Sequence, residues 1–289
     1  MFAIALRQEQ YSTYILTAQD SQSRLEVVPE RGGLISHWSL QGQDILYFDA
    51  ERFRDPTLSV RGGIPILFPI CGNLPDNTYT HQDKQYQLKQ HGFARDLPWL
   101  VTERVTNDLA SLTLVLNSND QTRAVYPFDW QLSFTYQLQG NTLTLHQRYT
   151  NQSPEVMPFS TGVHPYFLTS DKTKLQFEIP AAEYQDQQTG QVYPFTGGFD
   201  WSEDEIDVAF RQITGKSATV IDQQRRLKLT LTYGEPYSTL VFWTVKGKDY
   251  YCLEPWSAPR NGLNTGENIT KLSPGESLET SVQLSATFF

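Results

Sequence analysis

The sequence predicts an all-β fold, a large antiparallel β-sandwich, from the spacing of its apolar residues. Residues 130–138 read WQLSFTYQL and residues 227–233 read LKLTLTY, with an apolar residue at every second position. This alternation turns one face of a strand toward a core and the other toward water. No segment keeps a helical apolar spacing over three turns with capping residues at both ends. Strands at short intervals, with glycine and proline between them, are typical of a sandwich.

Shorter segments add detail to this prediction. Residues 139–141, QGN, separate two alternating runs and predict a hairpin turn. Residues 240–245 are more continuously apolar, which indicates a strand covered on both faces. Short helical turns are expected near residues 49–54 and 203–210. A chain of 289 residues without a repeat or a long linker fits one domain over residues 1–289, because all-β domains reach this size.

Charge and composition argue against several classes of function. The formal net charge of −9 repels phosphate backbones and no basic stripe is present, so nucleic-acid binding is not expected. No run of about 18 apolar residues occurs, so we expect no membrane span. Residues 1–10 lack the apolar core of a signal peptide, which favours a cytoplasmic protein. We expect a monomer or a homodimer.

The chain contains two cysteines, Cys71 and Cys252, which match no metal-ligand spacing and cannot form a disulfide-rich scaffold. We interpret them as reduced thiols packed like small apolar residues. The chain has no P-loop, no dinucleotide fingerprint and no GxSxG elbow. No metal site and no cofactor are expected, although His91 and His164, distant in sequence, leave open a site assembled in space.

Four segments interrupt the strand pattern and carry charged or imidazole side chains beside glycine or proline. They are residues 61–73 (RGGIPILFPICGN), 91–96 (HGFARD), 162–167 (GVHPYF) and 251–262 (YCLEPWSAPRNG). Functional residues concentrate on irregular segments that a rigid scaffold holds in place. We therefore expect the site to lie where these four segments meet.

Each candidate residue also has a structural interpretation, and the local sequence leaves both open. Arg61 can present its planar fork to the oxygens of a polar ligand or form a surface salt bridge. His91 and His164 can transfer protons near neutral pH, yet a lone histidine is more often structural. Glu254 is expected at a strand end between apolar neighbours. Partial desolvation there would raise its pKa and make it a better base, whereas full solvation would not.

In this order along the chain, the four segments resemble those of the aldose 1-epimerase family, which includes the galactose mutarotases. HGFAR and GVHPYF resemble the family's two histidine motifs, RGGIPILFP its arginine segment and YCLEPW its glutamate segment. The resemblance covers most of the chain. It implies a large antiparallel β-sandwich with a wide concave face.

The resemblance also implies a role for each candidate in the interconversion of sugar anomers. Glu254 would be the general base and His164 the general acid, while Arg61 and His91 would bind the sugar. Asp207 begins the segment DVAF, which fits a family D-x-x-F segment, and would grip sugar hydroxyls, although three other acidic residues compete nearby. This chemistry needs neither a redox centre nor a covalent nucleophile, so the expected partner is a small sugar.

Three alternatives stay open. A mutarotase for hexose 6-phosphates would need convergent cations, and Arg61, Arg95 and Arg260 lie in or beside the four segments. A non-catalytic sugar-binding sandwich is the second alternative, since a fold alone does not define an activity. The third is a glycosidase or lyase on a related sandwich, but hydrolysis needs two facing carboxylates and only Glu254 stands out.

Overall fold

Antiparallel strands make up most of the regular structure in the computed structural model, which describes residues 1–289. In chain order the strands are β1 (Phe2–Gln8), β2 (Ser12–Ala18), β3 (Ser23–Val28), β4 (Leu34–Leu40), β5 (Gln43–Asp44), β6 (Ile66–Leu67), β7 (Thr78–His81), β8 (Lys84–Gln87), β9 (Leu100–Val105), β10 (Ala110–Asn117), β11 (Trp130–Gln139), β12 (Thr142–Asn151), β13 (Met157–Phe159), β14 (Gly162–Val163), β15 (Tyr166–Leu168), β16 (Leu175–Glu178), β17 (Glu183–Asp186), β18 (Val192–Pro194), β19 (Glu205–Phe210), β20 (Ser217–Asp222), β21 (Leu227–Tyr233), β22 (Thr239–Val245), β23 (Tyr250–Trp256), β24 (Thr270–Leu272) and β25 (Ser277–Phe288). The helices are α1 (Ala50–Arg54), α2 (Asp120–Val125) and α3 (Gly262–Thr265), with 3₁₀ turns at Pro29–Arg31, Pro75–Asn77, Ala94–Asp96 and Lys172–Lys174.

The strands form three large sheets and two isolated pairs. The first sheet has the order β1-β2-β3-β4-β5. The second, which we call the long sheet, has the order β16-β20-β21-β25-β12-β11-β10-β9. The third, which we call the site sheet, has the order β18-β17-β19-β22-β23-β14-β6, with β15 also paired to β23. The predicted all-β antiparallel sandwich is confirmed.

One core cluster of 58 buried residues draws on the inner faces of the long sheet and the site sheet. The hairpin of β11 and β12 shows how the sequence pattern builds it, because every second residue of β11 faces inward and is fully buried. The inward residues are Trp130, Leu132, Phe134, Tyr136 and Leu138. Full burial of a large apolar side chain stabilises a protein by about 1.5–3 kcal/mol. The predicted turn lies between the two strands, where Gln139 pairs with Thr142.

Strands β19, β22 and β23 are covered on both faces, as the apolar run at 240–245 predicts. Successive side chains of a strand point to opposite faces. Leu240 and Phe242 therefore enter the core, while Val241 and Trp243 face the other way, into a cavity. Glu254 shares the cavity face because it is the register partner of Val241.

The helical segments are short, as expected, but one of the two predicted helical turns is wrong. Residues 50–54 form α1, and the Asp49 side chain caps it by accepting from the Arg52 backbone N–H at 2.9 Å. Residues 205–210 form β19 instead, because that segment pairs with β17 on one side and β22 on the other. None of the helices has the length and apolarity required of a membrane span. The single domain over residues 1–289 stays a prediction.

Candidate active site

A cavity of about 400 Å³ lies on the outer face of the site sheet. Alternate residues of β19, β22 and β23 form its floor, and the irregular segments of the sequence form its walls. The lining residues are Ser59, Val60, Arg61, Gln90, His91, Arg95, His164, Tyr166, Gln188, Glu205, Asp207, Val241, Trp243, Glu254, Trp256 and Arg260. All five candidate residues of the sequence analysis are among them.

Glu254 lies in the interior of β23, a strand of which every residue is buried. The sequence predicted a partly desolvated carboxylate at a strand end, but Glu254 is almost fully buried, with only 1% of the residue exposed. Its Oε2 accepts a hydrogen bond from Trp256 Nε1 at 3.0 Å. Burial raises the pKa of Glu254 well above its usual value, although the Trp256 hydrogen bond opposes this shift.

His164 meets Glu254 across the floor of the cavity. Its Nε2 lies 3.3 Å from Glu254 Oε1, and its ring stacks on Tyr166 with centroids 4.7 Å apart and planes 9° from parallel. Burial, reinforced by the charge of Arg95, lowers the pKa of His164 to about 3. The raised carboxyl pKa and the lowered imidazole pKa mean that burial favours the neutral form of each group.

The tautomer of His91 is determined by a backbone contact. The Gly72 backbone N–H donates to His91 Nδ1 at 3.1 Å, so neutral His91 carries its ring proton on Nε2. Burial, with the charge of Arg95, lowers the pKa of His91 well below its usual value. His91 is therefore a neutral hydrogen-bond donor, with a free N–H for a ligand oxygen.

Glycine permits the backbone approach that brings His91 to the cavity. Gly92 has a φ of +69°, and a Cβ there would lie 2.2 Å from the carbonyl oxygen of Phe68. Gly63, after Arg61, has a φ of +65°, and a Cβ there would lie 2.1 Å from the carbonyl oxygen of Ile35. No larger residue fits at either position without moving the backbone.

Arg61 forms no ion pair, so the interpretation as a surface salt bridge is wrong. Its guanidinium carbon lies 5.4 Å from the centre of the Trp243 ring, in a cation–π contact. The backbone around it is held by the Asp49 N–H, which donates to the Arg61 carbonyl at 3.0 Å. Arg95 also lacks an acidic partner and donates to the Gln90 carbonyl at 2.9 Å. Two guanidinium groups without an ion-pair partner therefore face the cavity.

Asp207 lies on the cavity face of β19, and both of its oxygens are engaged. Oδ2 accepts from Arg260 at 2.5 Å and Oδ1 accepts from Gln187 at 2.7 Å. Burial raises the pKa of Asp207 despite the opposing charge of Arg260. The structure brings Asp207 to the cavity. Of the three competing residues, Glu205 also lines the cavity, while Asp200 and Asp204 do not.

Several lining residues were not found by sequence reasoning. Trp243 is the clearest, because its Nε1 donates to Glu205 at 2.6 Å while its ring lies under Arg61. The alternation of residues 240–245 could have indicated Trp243, because it places residues 241 and 243 on the same face of the strand. What the alternation could not show is that this face is the same as that of Glu254, because strand register is a tertiary property.

Arg31 is a second residue that the sequence did not point to. It supports one wall of the cavity without lining the cavity itself. We call residues 55–60 the strap, since this exposed segment ends in Ser59 and Val60 at the cavity. Arg31 is 8% exposed. Its guanidinium donates to three strap carbonyls, those of Asp55 at 3.1 Å, Pro56 at 3.3 Å and Leu58 at 2.7 Å.

The family model described as aldose 1-epimerase matches residues 14–285. The chain belongs to the aldose 1-epimerase family. It is 49% identical to the Slr1438 protein from Synechocystis sp. PCC 6803, with a TM-score of 0.96 and full coverage of both chains. A galactose mutarotase-like protein from Clostridium acetobutylicum shares the fold, at 21% identity, a TM-score of 0.84 and coverage of 100% of this chain and 99% of that one. A Cenchrus ciliaris protein named "Putative glucose-6-phosphate 1-epimerase" is 25% identical over 285 residues, which cover 88% of this chain and 79% of that protein.

We predict that Arg31→Ala loosens the strap without unfolding the protein. A hydrogen bond from a charged group contributes about 1.5–3 kcal/mol, so losing three of them should make protease cleavage within residues 55–60 at least about tenfold faster. Limited proteolysis with mass spectrometry measures this. Arg54→Ala, an exposed arginine at the end of α1, is the control and should be cleaved at the wild-type rate. Wild-type cleavage of Arg31→Ala would contradict the prediction.

Proposed function

We propose that this chain is an aldose 1-epimerase that interconverts the α and β anomers of an aldohexose by general acid–base catalysis. The observation that carries the proposal is the 3.3 Å approach of Glu254 Oε1 to His164 Nε2 on the floor of a cavity. The cavity volume of about 400 Å³ falls within the range of about 300–1,000 Å³ that is typical of small-molecule sites. The family membership of the chain supports the same reaction class.

Ring opening requires a proton to leave the anomeric O1 and a proton to reach the ring oxygen O5. Both oxygens are bonded to C1, so a base and an acid that lie side by side can each reach one of them. Ionised Glu254 takes the proton from O1–H, and protonated His164 gives a proton to O5 as the C1–O5 bond breaks. The aldehyde rotates about C1–C2, and the ring closes on the other face as the two groups exchange roles.

The proton count of the pair supports this assignment. Before ring opening the proton is on His164, after it the proton is on Glu254, and the total of one does not change. Burial by itself favours the second of these two arrangements, because both groups are neutral in it. The hydroxyls of the bound sugar must therefore favour the charged arrangement.

The remaining candidates act as binding groups in this proposal. His91 donates its Nε2–H to a sugar oxygen, Arg61 offers its fork to hydroxyls, and Asp207 accepts from hydroxyls. Trp243 presents an aromatic face to the same cavity. These contacts orient the sugar with C1 toward the pair on the floor.

We expect Glu254→Gln to lower the rate of anomer interconversion by about 10²–10⁴-fold, because an amide cannot accept the O1 proton. Polarimetry on freshly dissolved α-glucose and α-galactose measures the rate. The amide keeps the size of the carboxyl, so circular dichroism should show an unchanged fold. Glu279→Gln, at an exposed position on β25, is the matched control. Full activity of Glu254→Gln would remove this residue from the mechanism.

For His164→Asn we expect kcat to fall far more than KM rises, since the imidazole acts in the proton transfer and the sugar has other binding groups. Steady-state polarimetric kinetics over a range of sugar concentrations separate the two constants. A change confined to KM would assign His164 to binding alone.

A phosphorylated hexose is a second candidate substrate, favoured by one observation. Arg61 and Arg95 face the cavity without acidic partners, and a phosphate needs such convergent cations. Arg260, the third arginine of the wall, is already paired with Asp207. The name of the Cenchrus ciliaris relative points to the same substrate class.

The two substrate classes give different responses to Arg95→Gln. If the substrate is phosphorylated, the wild type has a higher kcat/KM for glucose 6-phosphate than for glucose. Arg95→Gln then lowers kcat/KM for glucose 6-phosphate by about 10–100-fold, as the loss of a charged hydrogen bond implies, and leaves kcat/KM for glucose unchanged. Arg211→Gln, an arginine outside the cavity that pairs with Glu267, is the control. Sugar binding with no rate enhancement on either substrate would favour a non-catalytic sugar-binding protein.

A further inference from the structure

Cys252 lies beneath the acid–base pair, in a position that the proposed reaction does not use. It precedes Glu254 by two residues on β23, so both side chains lie on the same face of the strand. One donor atom from each of His164, Cys252 and Glu254 lies within 4.8 Å of the other two, and all three residues are buried. An imidazole, a thiol and a carboxyl are the three kinds of ligand that zinc takes in proteins.

The spacing of two of these ligands already matches a tetrahedral zinc site. Zinc binds nitrogen at about 2.0–2.1 Å and carboxylate oxygen at about 2.0–2.2 Å, so two such ligands at a tetrahedral angle lie about 3.3–3.5 Å apart. The distance from His164 Nε2 to Glu254 Oε1 is 3.3 Å. The Cys252 sulfur is already within 4.8 Å of both, and a shift of about 1 Å would bring it to the Zn–S distance of about 2.3 Å.

The cavity provides both access and the remaining coordination position. His164 and Glu254 line it, whereas Cys252 closes the site from below. A bound ion would therefore have three protein ligands and one position open to water, as zinc has in catalytic sites. When Nε2 binds the ion, the proton of the neutral ring is on His164 Nδ1, which has no hydrogen-bond partner in the protein.

The charges of such a site would balance. Zn²⁺ with a thiolate, a carboxylate and a neutral imidazole has a net charge of zero, which reduces the cost of burying the assembly. The thiol proton and the proton of the acid–base pair leave as the ion binds. Arg61 and Arg95 oppose the entry of a cation, while the carboxylates of Glu205 and Asp207, which also line the cavity, favour it.

We propose that His164, Cys252 and Glu254 form a zinc-binding site at the floor of the cavity, and that Zn²⁺ bound there inhibits the enzyme by occupying its acid–base pair. Zinc binding at this site does not depend on the proposed function, whereas inhibition by zinc rests on the proposed epimerase activity.

The two cysteines of the chain provide a matched pair of variants. Cys71 is also buried and free, but it packs in another cluster with Leu67 and Val241. Titration of Zn²⁺ against a chromophoric chelator should show that Cys252→Ser weakens binding by at least about 100-fold, since even outer-shell groups contribute about 10–100-fold to zinc affinity. Cys71→Ser should bind zinc like the wild type. Cys252→Ala serves in place of Cys252→Ser if the serine variant does not fold.

Cobalt provides a readout that does not depend on catalysis. Co²⁺ added to the wild type should give a thiolate-to-cobalt charge-transfer band in the near ultraviolet, and Cys252→Ser should lack it while Cys71→Ser keeps it. In polarimetry, zinc should inhibit the wild type, a chelator should restore it, and Cys252→Ala should keep its turnover in the presence of zinc. The absence of the cobalt band, or equal zinc affinity in Cys252→Ser and the wild type, would overturn the proposal. A cobalt band in a protein without epimerase activity would uphold the site and refute the proposed function.

Discussion

The burial of a carboxyl group in the middle of a strand is the constraint on which the rest of the site depends. Glu254 is 1% exposed, and an unpartnered buried carboxylate costs several kcal/mol or more. The protein meets this cost with Trp256, which donates to one oxygen, and with His164, which lies against the other. The desolvation that makes the ionised carboxylate costly also makes the pKa of Glu254 sensitive to a ligand that enters the cavity. The burial of Glu254 therefore accounts both for the contacts around it and for its raised pKa.

The walls around the pair follow from two kinds of backbone constraint. Gly63 and Gly92 let two irregular segments approach their neighbours more closely than any side chain would allow. Arg31 holds the strap by its carbonyl oxygens rather than by apolar packing, which suits a segment that is exposed to water. Cationic and acidic side chains line the same cavity, and two of them, Arg260 and Asp207, form an ion pair. A polar ligand whose groups do not match this distribution of charge would bind poorly.

Much of this could be predicted from the sequence because it depends on local chemistry. Alternation at period two places Trp130 and Leu132 in the core whatever the partner strand, since the pleat alone decides the face. Arginine, histidine and glutamate beside glycine and proline indicate irregular, chemically active segments, and their order along the chain matches a family. These signals led to the all-β sandwich and to the five candidate residues that line the cavity. The segment at 205–210 was assigned wrongly because acidic residues at its start mask a short strand whose partners lie elsewhere in the chain.

Only the tertiary structure could decide which residues meet. The register of β22 on β23 puts Trp243 on the same face as Glu254, and a shift of one residue would have put it in the core. The depth of Glu254, the tautomer of His91 and the approach of Cys252 to the pair each depend on atoms far away in sequence. The sequence by itself determined the fold class and the chemical groups, because propensity and residue type are local properties. The structure decided their distances, burial and charge state, because these are set by packing between strands that the chain brings together only when it folds.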